Sequence, residues 1–163
     1  MNSVVIYASH SGNTRWIAGA IAAALERHGR VDLVEAEEVD VLPASIDLLF
    51  VGGPTEGHGM TEEIRRLFDR LPKGSFDGRQ AATFDTRVHW PKFLSGSAAA
   101  KIAERLRVDG ALFISEPESF IVTLKPELEP GEEQRAAAWA TSIAECVAAS
   151  ADDRQLAGSA RRR

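Results

Sequence analysis

Apolar residues recur at helical spacing in several segments of the chain. Ile17, Ile21 and Leu25 lie four residues apart within residues 14–28, and Gly29 follows them, which predicts an amphipathic helix with a glycine stop. Similar apolar stripes predict helices over residues 61–71, 97–107 and 131–149. The pattern therefore predicts at least four helices.

Short apolar and β-branched runs alternate with these helices. The predicted strands are residues 3–7, 31–36, 47–52, 80–84 and 111–115. Residues 47–52 (DLLFVG) are apolar at almost every position, which is typical of a central parallel strand covered on both faces. Another β-rich run covers residues 120–124, after Pro117. Because proline is tolerated at a sheet edge and not in its middle, we expect a split strand at the edge.

The alternation of strands and helices predicts the fold class. We expect an α/β domain of three layers, with a doubly wound sheet of five parallel strands and helices on both faces. No internal repeat or low-complexity linker interrupts the pattern, so residues 1–150 are predicted to form a single domain. Residues 151–163 end in three arginines, and we expect them to be a disordered, basic-ended tail.

The composition is that of an ordinary globular protein. Of 163 residues, 44% are hydrophobic, so a packed core is expected without stabilising disulfides. Cys146 is the only cysteine, which excludes an internal disulfide and suits a reducing compartment. We expect a cytoplasmic protein that is neither secreted nor inserted in a membrane. Cys146, Trp16 and Trp139 are interpreted as packing residues on helices.

The charge balance bears on the class of partner. The chain has 19 basic and 24 acidic residues, and because the tail carries two net positive charges, a net charge of −7 is left on residues 1–150. An acidic body repels the phosphate backbone of nucleic acids, so no nucleic-acid binding is expected. Long-range attraction to partner proteins with basic faces is expected instead.

Ligands of open parallel sheets bind at the carboxyl ends of the strands. This rule selects the loops at residues 8–13, 53–60 and 85–95. The first loop leads into a helix and carries small hydroxyl and amide side chains, namely Ser9, Ser11, Gly12, Asn13 and Thr14. Free backbone N–H groups and neutral donors at a helix start suit a phosphate group, although the same residues also suit an ordinary capped turn. The loop lacks the lysine of a nucleoside-triphosphate loop.

The segment VVIYASHSGNT resembles the first strand and phosphate loop of flavodoxins, whose pattern is [ST]-x-[ST]-G-N-T. The resemblance extends through DLLFVGGPT, ATFD and the last helix, over residues 3–149. It implies a flavodoxin-like fold with strand order 2-1-3-4-5 and FMN as the cofactor. It also implies that the FMN phosphate lies on the first loop, with contacts from Ser9, His10, Ser11, Gly12, Asn13 and Thr14.

The resemblance places the flavin ring between the loops after the third and fourth strands. The implied contacts are Pro54, Thr55, Glu56, Gly57, His58, Asp85, Thr86, Arg87 and Trp90. Glu56 stands where an aromatic residue is expected, so stacking on that side requires His58 or Met60. Trp90 is the candidate for stacking on the other side, and packing of Trp90 on the end of the sheet is the alternative.

Charges near the ring would tune its reduction. Two-electron reduction of FMN places a negative charge near N1, so Glu56 and Asp85 close to N1 would disfavour the reduced form by like-charge repulsion. His58, His89 or Arg87 near the ring would have the opposite effect. The backbone freedom of Gly57 would allow its carbonyl to turn toward a protonated N5.

Three of the four histidines lie on loops at one edge of the sheet. His10, His58 and His89 follow the first, third and fourth strands. Their spacing matches no local metal motif, so we predict no metal site, and flavin contacts or solvated loop side chains are the alternatives.

Two classes of function fit these features. The first is an FMN-binding electron carrier that shuttles electrons between a reductase and an acceptor protein, with a small FMN-dependent NAD(P)H reductase as a variant. The second is a flavodoxin-fold interaction or regulatory module with degenerate or absent FMN binding. We predict the electron carrier rather than a stand-alone enzyme, and therefore assign no catalytic residue.

Overall fold

The computed structural model describes residues 1–57, 59–89, 96–125 and 127–160, with the backbone alone for residues 152–160. The strands are β1 (Asn2–Tyr7), β2 (Arg30–Glu35), β3 (Leu48–Pro54), β4 (Gln80–Val88), β5 (Leu112–Phe113) and β6 (Glu118–Val122). The helices are α1 (Asn13–Leu25), α2 (Glu62–Arg70), α3 (Ala98–Val108) and α4 (Glu132–Ala160). Short 3-10 turns follow α1 and β2.

The strands form one parallel sheet in the order β2-β1-β3-β4-β5, which confirms the predicted fold and strand order. β6 also pairs with β4, further along the same edge than β5. The fifth position of the sheet is therefore divided into two short strands. The break contains Pro117, in agreement with the predicted split edge strand.

Two apolar cores lie on opposite faces of the sheet. One core packs α2 and α3 against β1 and β3, with Ile64, Leu67 and Ile102 fully buried. The other packs α1 and α4 against the opposite face, with Ile17 and Ile21 fully buried. Side chains of a strand alternate between the two faces, so the central strands must be apolar at consecutive positions. The three predicted layers are thereby confirmed.

β3 lies between β1 and β4, as its continuous apolar sequence predicted. Its residues from Leu48 to Gly53 are all buried. Gly52 lies directly beneath the ring of Phe84 on β4, and an added Cβ would lie 2.5 Å from the ring carbons. A glycine is therefore required at this position, because the Phe84 ring covers it while β3 and β4 pair.

β4 extends four residues beyond its predicted end at Phe84. Asp85, Thr86 and Arg87 were predicted to lie in a loop, and this prediction was wrong. Backbone pairing on both sides extends the strand, because Asp85 is in register with Gly53 of β3 and with Ser119 of β6. The polar sequence DTR gave no apolar signal for a strand.

The last helix continues to Ala160, beyond the predicted end at Ala149. Trp139 on this helix packs edge-on against Phe50 and Phe120, which confirms its packing role. In the part of the chain that the structure describes, none of the helices combines the length and the apolar character needed to span a bilayer.

Two predicted packing residues face solvent instead. Trp16 is 65% exposed, because it lies off the buried face of α1, which includes Thr14, Ile17 and Ile21. Cys146 is exposed as well. The buried stripe of α4 is centred on Ala140 and Ala144 rather than on Trp139, which leaves Cys146 on the outer side of the helix.

The N-terminus of α3 is closed by side chains from three segments. The Asp85 carboxylate is fully buried, and its Oδ2 accepts hydrogen bonds from Ala99 N at 3.0 Å, Ser97 Oγ at 2.7 Å and Thr55 Oγ1 at 3.0 Å. Thr55 Oγ1 in turn accepts from Ala98 N at 2.8 Å. The first N–H groups of the helix thus find acceptors, and the buried negative charge lies at the positive end of the helix dipole.

Replacement of Gly52 tests the close approach of β3 and β4. Gly52→Ala is expected to destabilise the fold by about 2 kcal/mol, because the added methyl group overlaps the Phe84 ring. Gly19→Ala is the matched control, since an added Cβ there meets no atom within 4 Å and the residue lies within α1. The control is expected to raise stability by about 0.5 to 1 kcal/mol in urea unfolding. Equal effects of the two substitutions would contradict this packing.

Removal of the Asp85 carboxylate tests the closure of α3. Asp85→Ala is expected to lower the free energy of unfolding by about 3 kcal/mol or more, because two hydroxyl groups and one N–H lose their buried acceptor. Asp69→Ala is the control, since the Asp69 side chain is 76% exposed, and its effect is expected to stay within about 0.5 kcal/mol. A loss for Asp85→Ala as small as that of the control would exclude the closing role.

Candidate functional site

The candidate site lies at the carboxyl edge of the sheet, where β1, β3 and β4 end. β1 pairs with β2 on one side and with β3 on the other, so the strand order reverses between β2 and β3 around β1. Connections on the two sides of such a point leave in opposite directions and open a crevice between them. The phosphate loop (residues 8–13) and the loop after β3 flank this crevice.

The phosphate loop leads into an open helix N-terminus. Gly12 is the N-cap residue of α1, with a left-handed φ of 88°, and as a glycine it offers no side-chain acceptor to the first N–H groups of the helix. The first turn carries no acidic residue. Within the described chain, the backbone N–H groups of Gly12 and Thr14 have no acceptor. An added Cβ at Gly12 would meet no atom within 4 Å, so the space above the helix start is open.

Hydrogen bonds within the loop fix the side chains around this opening. Ser9 Oγ accepts from Arg15 N at 3.3 Å, and Asn13 Nδ2 donates to Ser11 Oγ at 3.1 Å. The Thr14 hydroxyl is buried and lies 2.7 Å from the hydroxyl of Thr86, so it ties α1 to β4. Ser9 and Ser11 are therefore the hydroxyl groups of the loop that stay accessible, and the Thr14 side chain serves the scaffold.

The loop after β3 forms a tight hairpin over residues 56–59, here called the β3 hairpin. Glu56 N donates to the Gly59 carbonyl at 3.1 Å, and Gly59 N donates to the Glu56 carbonyl at 2.9 Å. Gly57 occupies the first central position with a φ of 50°, which the tight two-residue turn favours and which glycine adopts at low cost. Thr55 N donates to Thr86 O and anchors the start of this loop to β4.

His10 joins the phosphate loop to the β3 hairpin and to α2. Its Nδ1 lies 2.7 Å from Glu56 Oε1, and its Nε2 lies 3.1 Å from Glu63 Oε1. The hydrogen bond with Glu63 and, to a smaller extent, the hydrogen bond with Glu56 raise the pKa of His10 above its ordinary value. The pKa of Glu63 is lowered, mainly by the hydrogen bond from its own backbone N–H and to a smaller extent by His10.

The predicted ring contacts divide between scaffold and surface. Asp85 and Thr86 are buried in β4, and the Asp85 carboxylate serves the start of α3. Arg87 is half-buried on the same strand, and Pro54 is the last residue of β3. His89 is exposed just after β4. The predicted contacts His58 and Trp90 lie outside the described residues.

The predicted histidine cluster is resolved only in part. His10 bonds to two carboxylates, whereas His89 lies exposed and His58 is outside the described residues. Among the residues that the structure describes, no group of three or more histidine, cysteine, aspartate or glutamate side chains is arranged to hold a metal ion.

Sequence reasoning missed the two partners of His10. Glu56 and Glu63 are 46 and 53 residues from His10 in the chain, and no local motif links them to it. The available signal was topological, since the loops after two adjacent strands carry a histidine and an acidic residue. Opposite charges at one end of paired strands are candidates for such a contact.

Comparisons with known proteins agree with this geometry. The Flavodoxin family model matches residues 5–139, and no curated protein sequence matches the chain. Among solved structures, oxidised Flavodoxin 2 from Bacillus cereus has 25% identity and a TM-score of 0.73, with coverage of 89% of this chain and 99% of that chain. A flavodoxin from the domain Archaea has 23% identity and a TM-score of 0.70, with coverage of 90% and 99%.

A larger protein contains a similar fold. The rubredoxin oxygen:oxidoreductase from Desulfovibrio gigas matches with 18% identity and a TM-score of 0.70, over 91% of this chain and 36% of that chain. The family match covers most of the sequence, and the sheet order and the open helix start are those expected from the resemblance. The chain belongs to the flavodoxin family, whose fold implies FMN-binding electron transfer.

Proposed function

We propose that this chain binds FMN at the carboxyl edge of its sheet and carries electrons between a reductase and an acceptor protein. The observation that carries the proposal is the open N-terminus of α1. Its N–H groups, the cap at Gly12 and the hydroxyls of Ser9 and Ser11 surround unfilled space. A dianionic phosphate fits this donor set, because the helix dipole and the N–H groups both favour an anion.

The same edge contains a helix start that does not suit an anion. The first N–H groups of α3 are already bonded to Thr55, Ser97 and the charged Asp85. A phosphate there would have to displace or oppose a buried carboxylate. The contrast between the two helices supports α1 as the place for the FMN phosphate.

The flavin ring is proposed to lie beside the β3 hairpin. The backbone of residues 52–57 includes three glycines. Gly57 is exposed, and an added Cβ there would meet no atom within 4 Å, so its backbone is accessible to a ring. FMN, when bound, supplies the reversible uptake of one or two electrons. The residues of the chain hold the cofactor and set the charge around it.

We propose the same ring contacts that the sequence predicted. The roles of Asp85 and Glu56 differ from the prediction. Asp85 supports the start of α3 through its bonds to Ser97 Oγ and Ala99 N. The negative charge of Glu56 is partly compensated, because its carboxylate pairs with His10. The electrostatic penalty on reduced flavin that Glu56 was expected to impose is therefore smaller than the sequence suggested.

The proposed partners are redox proteins with basic faces. Several acidic side chains are paired locally, since Glu62 pairs with Arg65 and Arg66, and Glu118 pairs with Arg135. The net charge of −5 over the chain still favours approach of a basic protein at low ionic strength. A cytoplasmic location is proposed as well, from the single cysteine alone.

A comparison of FMN with riboflavin tests the proposal, because the two differ in the phosphate. The chain is expected to quench FMN fluorescence on binding and to bind riboflavin more weakly by at least about a hundredfold, a loss of about 3 kcal/mol of charge-assisted hydrogen bonds. Equal affinities would place the ligand elsewhere. An absence of FMN binding would favour the interaction or regulatory module.

A fixed charge at Ser11 sharpens this test. Ser11→Asp is expected to weaken FMN binding by about tenfold or more and to leave riboflavin binding nearly unchanged, because a carboxylate beside the helix start repels the phosphate. Ser142→Asp adds the same charge at an exposed site on α4 and is the control. An equal loss of FMN affinity in both variants would refute a phosphate site beside Ser11.

A further inference from the structure

The imidazole of His10 is held between carboxylates from two different elements. Nδ1 bonds to Glu56 of the β3 hairpin and Nε2 bonds to Glu63 in the first turn of α2. A carboxylate accepts hydrogen bonds and does not donate them, so both ring nitrogens must donate. Only the protonated ring carries a hydrogen on both nitrogens. With both carboxylates ionised, this geometry is satisfied by an imidazolium at His10.

Among the described residues, the charged groups that bond to this ring come from two neighbouring elements. Glu56 faces it from the β3 hairpin and Glu63 faces it from α2. On its own loop the neighbours Ser9 and Ser11 are neutral. Glu62, the next acidic residue of α2, is paired with Arg65 and Arg66 and adds no contact to His10. The His10 side chain is 46% exposed, so it can exchange its proton with solvent.

We propose that His10 is a positioning residue that, when protonated, latches the β3 hairpin onto the phosphate loop and so makes FMN binding depend on pH. This inference rests on the proposed function, because it concerns the same site. The latch joins the loop proposed for the phosphate to the hairpin proposed for the ring. With the proton bound, the side chains of His10, Glu56 and Glu63 together carry one net negative charge. After loss of the proton they carry two.

The sign of the pH dependence follows from this charge count. The hydrogen bonds with Glu63 and Glu56 raise the pKa of His10, and a phosphate dianion on the same loop raises it further in the complex. A group whose pKa is higher in the complex takes up a proton on binding. FMN affinity is therefore greatest below the pKa of His10 in the free chain, and it falls as pH rises through the pKa of the complex.

The experiment measures two quantities over the range from about pH 6 to about pH 9. The first is the pKa of His10 in the chain without FMN, from NMR of carbon-labelled histidine, with the signal assigned by its loss in His10→Gln. The second is the dissociation constant for FMN from fluorescence quenching at constant ionic strength. The variants are His10→Gln, Glu56→Gln and His28→Gln, of which His28 follows α1 at the opposite end of the sheet and is the control.

The wild-type chain is expected to bind FMN about fivefold more weakly at the alkaline end, in keeping with the small free energy of exposed ion pairs. His28→Gln should match the wild type. The FMN affinity of His10→Gln should not fall at alkaline pH. It should change only below about pH 6.5, where the FMN phosphate itself titrates. Glu56→Gln should lower the pKa of His10 and move the wild-type profile to lower pH.

Three results would overturn the inference. A His10 pKa at or below 6.5 in the chain without FMN would exclude the latch directly. FMN binding with the same pH profile in the wild type and in His10→Gln would exclude the latch and leave the proposed function intact. No FMN uptake by the wild type at any pH would overturn the proposed function, and the latch inference with it.

Discussion

The backbone N–H groups at the start of a helix need acceptors, and α1 and α3 both begin at the edge of the sheet where the candidate site lies. At α3 the chain supplies those acceptors itself, with the Asp85 carboxylate and the oxygens of Thr55 and Ser97. At α1 the N-cap residue is Gly12 and the first turn carries no acidic residue, and Ser9 Oγ accepts from Arg15 N. One positive helix end is thus neutralised inside the fold, and the other is left to an external anion. The position of the candidate site follows from this difference.

Neighbouring residues of β4 close the start of α3 and position the start of α1. Asp85 bonds to Thr55 after β3 and to Ser97 at the start of α3, so a single carboxylate fixes two of the segments around the crevice. Thr86, the next residue of β4, holds Thr14 at the start of α1. Adjacent residues of one central strand therefore position the phosphate loop from one side and the loop after β3 from the other. This explains why β4 is polar where the sequence suggested that it had ended.

Much of the fold could be predicted because its signals are local. The apolar run of β3, the stripe from Ile17 to Leu25 and the proline in the edge strand each depend on neighbouring residues alone. The end of β4 could not be predicted in this way, because residues 85–88 are held as a strand by pairing with β3 and β6. Trp16 and Cys146 were assigned to packing from residue type, and both lie off the buried faces of their helices.

The phosphate loop was predictable from its motif, whereas the charges around it were not. The sequence SHSGNT indicates an anion site, but it does not show that His10 meets Glu56 and Glu63 or that the Thr14 hydroxyl is taken by Thr86. These contacts join residues from 46 to 72 positions apart in the chain. They depend on which strands are neighbours, and therefore only the folded topology reveals them.

The starts of α1 and α3 differ in their ability to accept an anion. The most direct measurement is a proton–nitrogen NMR titration of the chain with FMN, with the backbone amide signals assigned. The account predicts large downfield shifts for the amides of Gly12 and Thr14, as new hydrogen bonds to phosphate form, and nearly unchanged signals for Ala98 and Ala99. Unchanged amides at Gly12 and Thr14 in the presence of bound FMN would contradict it.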